Sequence, residues 1–173
     1  MVFRHFSALA AGAARSRLAA LLATTALSLP TAALAGPVTV NSSTTQPLKT
    51  STGDGQGPGN ITIENAGSIT VTTGVPLTVD SSNDVIMNGT LRHDGQTNAT
   101  GFLISTDNAA GAGHTITSTI AMGGLINVPS SNTTSVSNNF GLRFAGNGTL
   151  QGSFTSTSAS QIAVGGREAV AIS

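Results

Sequence analysis

From Val38 to Ile172 the chain alternates apolar and small polar residues in clusters only three or four positions long, such as Val38-Thr39-Val40, Ile61-Thr62-Ile63, Leu77-Thr78-Val79 and Val85-Ile86-Met87. A period of two places every second side chain on one face, which predicts short, half-buried β-strands. Further strands are expected at Phe102-Leu103-Ile104, Ile162-Ala163-Val164 and Val170-Ala171-Ile172. Between the strands stand Asn and Gly, residues that turn a chain.

The strands are organised by a recurring unit: an apolar-x-apolar strand, a short Asn/Gly turn, a small residue, then the apolar position that opens the next strand. It runs Ile61 to Val71, Val85 to Leu91, in degenerate form Ile120 to Val128, and again Leu142 to Leu150. The turn glycines Gly67, Gly89, Gly124 and Gly148 are separated by 22, 35 and 24 residues, so two intervals fit one coil and the middle one carries an insertion or a further, unparsed coil. A unit of this length, repeated, marks a stacked architecture in which no single coil buries enough apolar surface to fold alone. The predicted fold class is all-β, a parallel β-helix or β-solenoid. A β-sandwich of short strands is the competing arrangement, but a sandwich has no reason to reuse one corner sequence. Gly is expected at the corners to supply positive φ, with Asn65, Asn88 and Asn147 next to them in a supporting role.

Two segments at the N-terminal end of the chain differ from this pattern. Met1 to Ala35 has basic Arg4, Arg15 and Arg17, an apolar run from Leu18 to Leu29, Pro30, and the small-residue box Ala33-Leu34-Ala35. That order is a helical secretory signal peptide, with Ala33 and Ala35 filling the shallow signal-peptidase pockets and cleavage expected before Gly36. The apolar run of about twelve positions is shorter than the roughly 20 needed to span a bilayer. Arg15-Ser16-Arg17 is not a consecutive arginine pair, which favours the general secretion route. Residues 36–59 hold Pro37, Pro47, Pro58 and the run Gly53-Asp54-Gly55-Gln56-Gly57, and are expected to form a lead-in strand followed by a flexible loop. The domains are therefore 1–35 signal peptide, 36–59 lead-in and cap region, and 60–173 β-helical repeats, with the last repeat expected to continue into further chain.

Composition narrows the function classes. Only 8% of residues are charged, against about a quarter in ordinary globular chains. After Ala35 four basic residues, Lys49, Arg92, Arg143 and Arg167, face seven scattered acids, and Phe is the only aromatic. With neither a basic patch nor stacking platforms, nucleic-acid binding is not expected. The chain has no cysteine, which excludes a disulfide-stapled fold, a lipid-modified N-terminal Cys and thiolate metal sites.

Candidate chemistry is sparse. His93 and His114 are the only histidines after the signal, and His93-Asp94 is the one His-acid neighbour. Adjacent strand residues face opposite ways, so no dyad is expected, and no Gly-x-Ser-x-Gly elbow supplies a nucleophile. A polysaccharide lyase needs several carboxylates along one cleft, whereas the acids here are spread out. The Gly53 to Gly57 run offers one carboxylate, too few for calcium. Six Asn-x-Ser/Thr triplets, beginning at Asn41, Asn60, Asn88, Asn98, Asn132 and Asn147, are expected by chance in so Asn/Ser/Thr-rich a chain. No catalytic residue, cofactor site or metal site is assigned.

The Asn-Gly-Thr-Leu form at Asn88 to Leu91 and Asn147 to Leu150, with the variant Asn65-Ala66-Gly67-Ser68-Ile69, resembles the degenerate repeats of bacterial autotransporter passengers. The resemblance covers residues 60–173. It implies a right-handed parallel β-helix exported by the secretion machinery and through a C-terminal outer-membrane barrel, ending at the cell surface or outside the cell. It further implies adhesion or another surface interaction with a glycan or cell-surface ligand. A hydrolase or lyase carried on the same scaffold, with its catalytic residues beyond Ser173, is the alternative.

Overall fold

The computed structural model describes residues 36–108, 110–130 and 137–173, so the segment carrying Ala33 and Ala35 lies outside the described residues. The alternation seen in the sequence becomes alternating burial: Ile61 and Ile63 are buried around a half-buried Thr62, and Val85 and Met87 around an exposed Ile86.

The strands come in rounds. The first is β1 (Val38–Val40), β2 (Ser43–Thr44) and β3 (Leu48–Lys49), and the second is β4 (Ile61–Ile63), β5 (Ser68–Val71) and β6 (Leu77–Val79). The third is β7 (Val85–Met87), β8 (Thr90–His93) and β9 (Thr100–Ser105). A short β10 (Thr115–Ile116) precedes the fourth, β11 (Thr119–Met122), β12 (Leu125–Val128) and β13 (Phe140–Ala145). A short β14 (Thr149–Leu150) precedes the fifth, β15 (Ser153–Ser156), β16 (Gln161–Val164) and β17 (Val170–Ile172).

Each round gives one strand to each of three five-stranded sheets, ordered β1-β4-β7-β11-β15, β2-β5-β8-β12-β16 and β3-β6-β9-β13-β17, while β10 and β14 form a small fourth sheet. The neighbours in all four sheets run parallel. The fold is all-β and built on parallel sheets, with no helix among the described residues. Parallel register aligns like residues in columns: Val38, Ile61, Val85, Ile120 and Phe154 in the first sheet, and Thr44, Ile69, Leu91, Ile126 and Ile162 in the second. The third carries Leu48, Leu77, Phe102, Leu142 and Ile172. Apart from Thr44 and the exposed Ile172, the residues of these columns form a single core or pack against it.

Register corrects three expectations. Residues 36–59 hold a complete first round, in which β1, β2 and β3 each pair with the second round. Only Val38-Thr39-Val40 was legible because β2 and β3 are two residues long, too short to show a period. The loop after β3 is also tightly bonded: the N–H groups of Gly53 and Gly59 donate to Lys49 and Thr50 carbonyls, and Asp54 accepts from the Gln56 N–H.

The fourth repeat was set one corner out of step. Gly67, Gly89 and Gly124 share the corner between the first and second sheets, but Gly148 lies in the turn between β13 and β14, against His114 and Thr106. True spacing follows the first-sheet column: 24 residues from Ile61 to Val85, then 35 from Val85 to Ile120 and 34 from Ile120 to Phe154. The longer rounds persist to the end.

Corner glycines are required for a different reason than expected. None of Gly67, Gly89, Gly124 and Gly148 has positive φ. A Cβ on Gly89 would fall on the Gly67 carbonyl, and one on Gly124 on the Gly89 carbonyl, both well inside 3.0 Å. Stacked rounds bring backbone against backbone there, and only a residue without a side chain fits. The left-handed non-glycine residues are instead Asn98, Asn138 and Glu168. They sit two positions before Thr100, Phe140 and Val170, which share one column of the third sheet.

Candidate functional site

The outer face of the third sheet carries a groove. Leu48, Leu77 and Phe102 point into the core, so the residues that follow them, Lys49, Thr78 and Leu103, form a register-aligned row on the opposite face. This row is the floor of a groove of ≈ 780 Å³. Pro47, Ser51 and Thr52 from the first round and Gly74 and Val75 from the second line one part of it. Ser105, Asp107, Asn108 and His114, which bracket the excursion between β9 and β10, line the other.

That excursion is part of the insertion behind the 35-residue interval. An antiparallel bridge between Asp107 and Gly113 closes it, and the Asn108 side-chain oxygen accepts from the N–H groups of Ala110 (2.9 Å) and Ala112 (3.1 Å). The Asp107 carboxylate accepts from the Asn147 N–H at 2.7 Å and from its side-chain amide at 3.3 Å, pinning the excursion to the turn before β14. The His114 N–H donates to the Thr106 carbonyl, while its ring Nδ1 is buried with no hydrogen-bond partner.

Asp80 is equally committed. Its carboxylate accepts from the Ser51 N–H (2.9 Å), the Ser51 hydroxyl (2.7 Å) and the Thr50 hydroxyl (3.3 Å), and buried Thr50 accepts in turn from the N–H groups of Asp80 and Ser81. Lys49, Thr78 and Ser105 differ: their side chains make no hydrogen bond or ion pair among the described residues. The groove thus combines held carboxylates with uncommitted donors and hydroxyls around apolar Pro47, Val75 and Leu103.

Sequence-nominated residues separate in space. His93 is a core residue, register-paired with Val71, and its Nδ1 accepts from the Gly95 N–H at 2.9 Å. Asp94 does not join it but pairs with Arg92, Nε to Oδ1 at 2.7 Å, on the surface. Only His114 of the two histidines reaches the groove. Asp54 lies in the bonded turn after β3, and no group of three or more His, Cys, Asp or Glu able to hold a metal occurs among the described residues. Arg92 and Asp94 border a second, smaller depression of ≈ 550 Å³ with Pro129 and Gly165.

Lys49, Asp80 and Asp107 were not nominated from sequence. The one available signal was the irregular interval between Gly89 and Gly124, because insertions in stacked repeats map to loops on one face, often the binding face. No protein-family model, no curated protein and no solved structure matches the chain.

Proposed function

We propose that the chain is an exported surface scaffold: residues 36–173 form a parallel β-helix, similar in kind to an autotransporter passenger, that acts in adhesion or surface interaction. The observation that carries this reading is the threefold recurrence of strand order, in which every strand of a round pairs in parallel with its counterpart in the next and the three buried faces share one core. A chain that rises through its sheets in this way presents long, regular outer faces. Here those faces are rich in Ser, Thr and Asn, which stay hydrated and can make many weak contacts.

Export follows from the segment Met1 to Ala35, with cleavage after Ala35 by signal peptidase acting on Ala33 and Ala35. In this reading an outer-membrane barrel downstream of the passenger completes transport to the surface.

Expression of the full chain in a bacterium with two membranes tests both parts. Intact mass of the exported product should begin at Gly36, and Ala35→Leu should leave the precursor uncleaved. Beads coated with residues 36–173 should adhere to cells above albumin-coated beads. Retention of the uncut chain in the cytoplasm would end the export reading, and adhesion no better than albumin would end the adhesive one.

A further inference from the structure

We infer that the groove over the third sheet is a binding site for a neutral, hydroxyl-rich ligand, specifically an uncharged oligosaccharide. This rests on the surface-interaction reading and names the ligand class for it. Four observations converge. The groove stands where the repeat departs from regularity, between the row Lys49, Thr78, Leu103 and the excursion after β9. Its volume, ≈ 780 Å³, lies within the roughly 300–1,000 Å³ of ordinary small-ligand sites.

Charge then selects the ligand. One cation, Lys49, faces two carboxylates, Asp80 and Asp107, along the same groove. A polyanion would meet two negative groups for each positive one. A polycation would meet Lys49, an Asp80 carboxylate with both oxygens bonded to Thr50 and Ser51, and an Asp107 carboxylate with one oxygen bonded to Asn147. An uncharged ligand avoids both penalties.

Hydrogen-bonding capacity supplies the last step. The Lys49 ammonium and the Thr78 and Ser105 hydroxyls have no partner among the described residues. Lys49 and Thr78 stand opposite each other on neighbouring strands, about 4.8 Å apart along the sheet, with Thr78 at the base of the groove and only 6% exposed, and Ser105 lies two residues beyond Leu103 on the next strand; together they offer donors and acceptors. Between them Val75 and Leu103 present aliphatic surface of the kind that covers the C–H face of a pyranose. No aromatic lines the groove, so single-site affinity is modest and repetition on a surface supplies the avidity.

The test is calorimetric titration of residues 36–173, the expected mature chain, with cellohexaose, maltohexaose and chitohexaose as neutral probes and tetragalacturonate as the acidic one. At least one neutral probe should bind, with tetragalacturonate at least about tenfold weaker. Thr78→Arg, which blocks the floor, and Ser105→Arg, which blocks the wall, should each weaken binding at least about tenfold with an unchanged circular dichroism spectrum. Gln151→Arg, away from the groove, should bind as the parent does. The inference is overturned by no binding of any neutral probe at about 10 mM, by equal binding of the acidic probe, or by full binding in both groove variants. Bead adhesion that persists without saccharide binding overturns this inference alone and leaves the adhesive reading in place.

Discussion

At the scale of single residues, backbone geometry explains choices that side-chain chemistry does not. Glu168 is exposed and adopts φ 57°, in the column where Asn98 (φ 55°) and Asn138 (φ 48°) do the same. An L-residue pays a steric penalty in this region that Gly escapes and Asn partly offsets. Its ion pair with Arg167, at 3.8 Å and more than half exposed, returns little. Glu168→Gly should therefore raise stability by about 0.5–1 kcal/mol, read as a higher urea midpoint at unchanged slope. A lower midpoint would mean the ion pair outweighs the backbone term. Gly89 is the opposite case. Its φ is ordinary, but Gly89→Ala drives a Cβ into the Gly67 and Glu64 carbonyls and should cost about 1–3 kcal/mol. A glycine needed for clearance and one needed for positive φ look identical in sequence. That is why the corners were legible from Gly67, Gly89 and Gly124 while their physical reason was not.

At the scale of elements, the corners between the second and third sheets are held by side chains that reach from round to round. Asn139 is fully buried: its Oδ1 accepts from the Ala99 N–H at 3.0 Å, and its Nδ2 donates to the Gln96 and Gly165 carbonyls at 3.2 and 3.1 Å. One amide thereby ties the third, fourth and fifth rounds together. Asn139→Ala leaves a buried N–H unpaired and should cost about 2–3 kcal/mol, whereas Asn138→Ala should cost about 1 kcal/mol, mainly through φ, since its amide makes only a long, exposed bond of 3.5 Å to the Asn98 side chain. Urea unfolding of the two variants separates them, and equal losses would count against the bridging role. None of this was readable from Asn138-Asn139-Phe140, where both asparagines resemble turn residues. The strands were readable because Ile69-Thr70-Val71 and Ile120-Ala121-Met122 display period two on their own. Two-residue β2, β3, β10 and β14 are defined by the partner they meet, which lies 25 to 34 residues away and leaves no local trace. The groove has the same origin: Lys49, Thr78 and Ser105 are distant in sequence and become neighbours only through parallel register.

At the scale of the whole molecule, burial along the columns is uneven. Ile61, Val85 and Ile120 are fully buried, as are Ile69, Leu91 and Ile126, whereas in the fifth round Phe154 and Ile162 are half-buried and Ile172 is 59% exposed. A structure whose rounds contact only their neighbours has stability that sums over rounds and interfaces, so a round with one neighbour opens more readily than one with two. Amide hydrogen exchange on residues 36–173 should accordingly be slowest in β4 to β9, β11 and β12, and at least about tenfold faster in β15, β16 and β17. Ile126→Ala removes a buried side chain from the central column and should cost about 2–5 kcal/mol, accelerating exchange in the third, fourth and fifth rounds together. Ile162→Ala, in the same column one round later, should cost less and leave the second and third rounds protected. Uniform protection across the sheets, or equal losses at the two isoleucines, would point to a single all-or-none core and against the round-by-round coupling that the proposed β-helix requires. The contrast is informative because both residues have identical chemistry and sit in the same sheet. Only the number of rounds covering them differs.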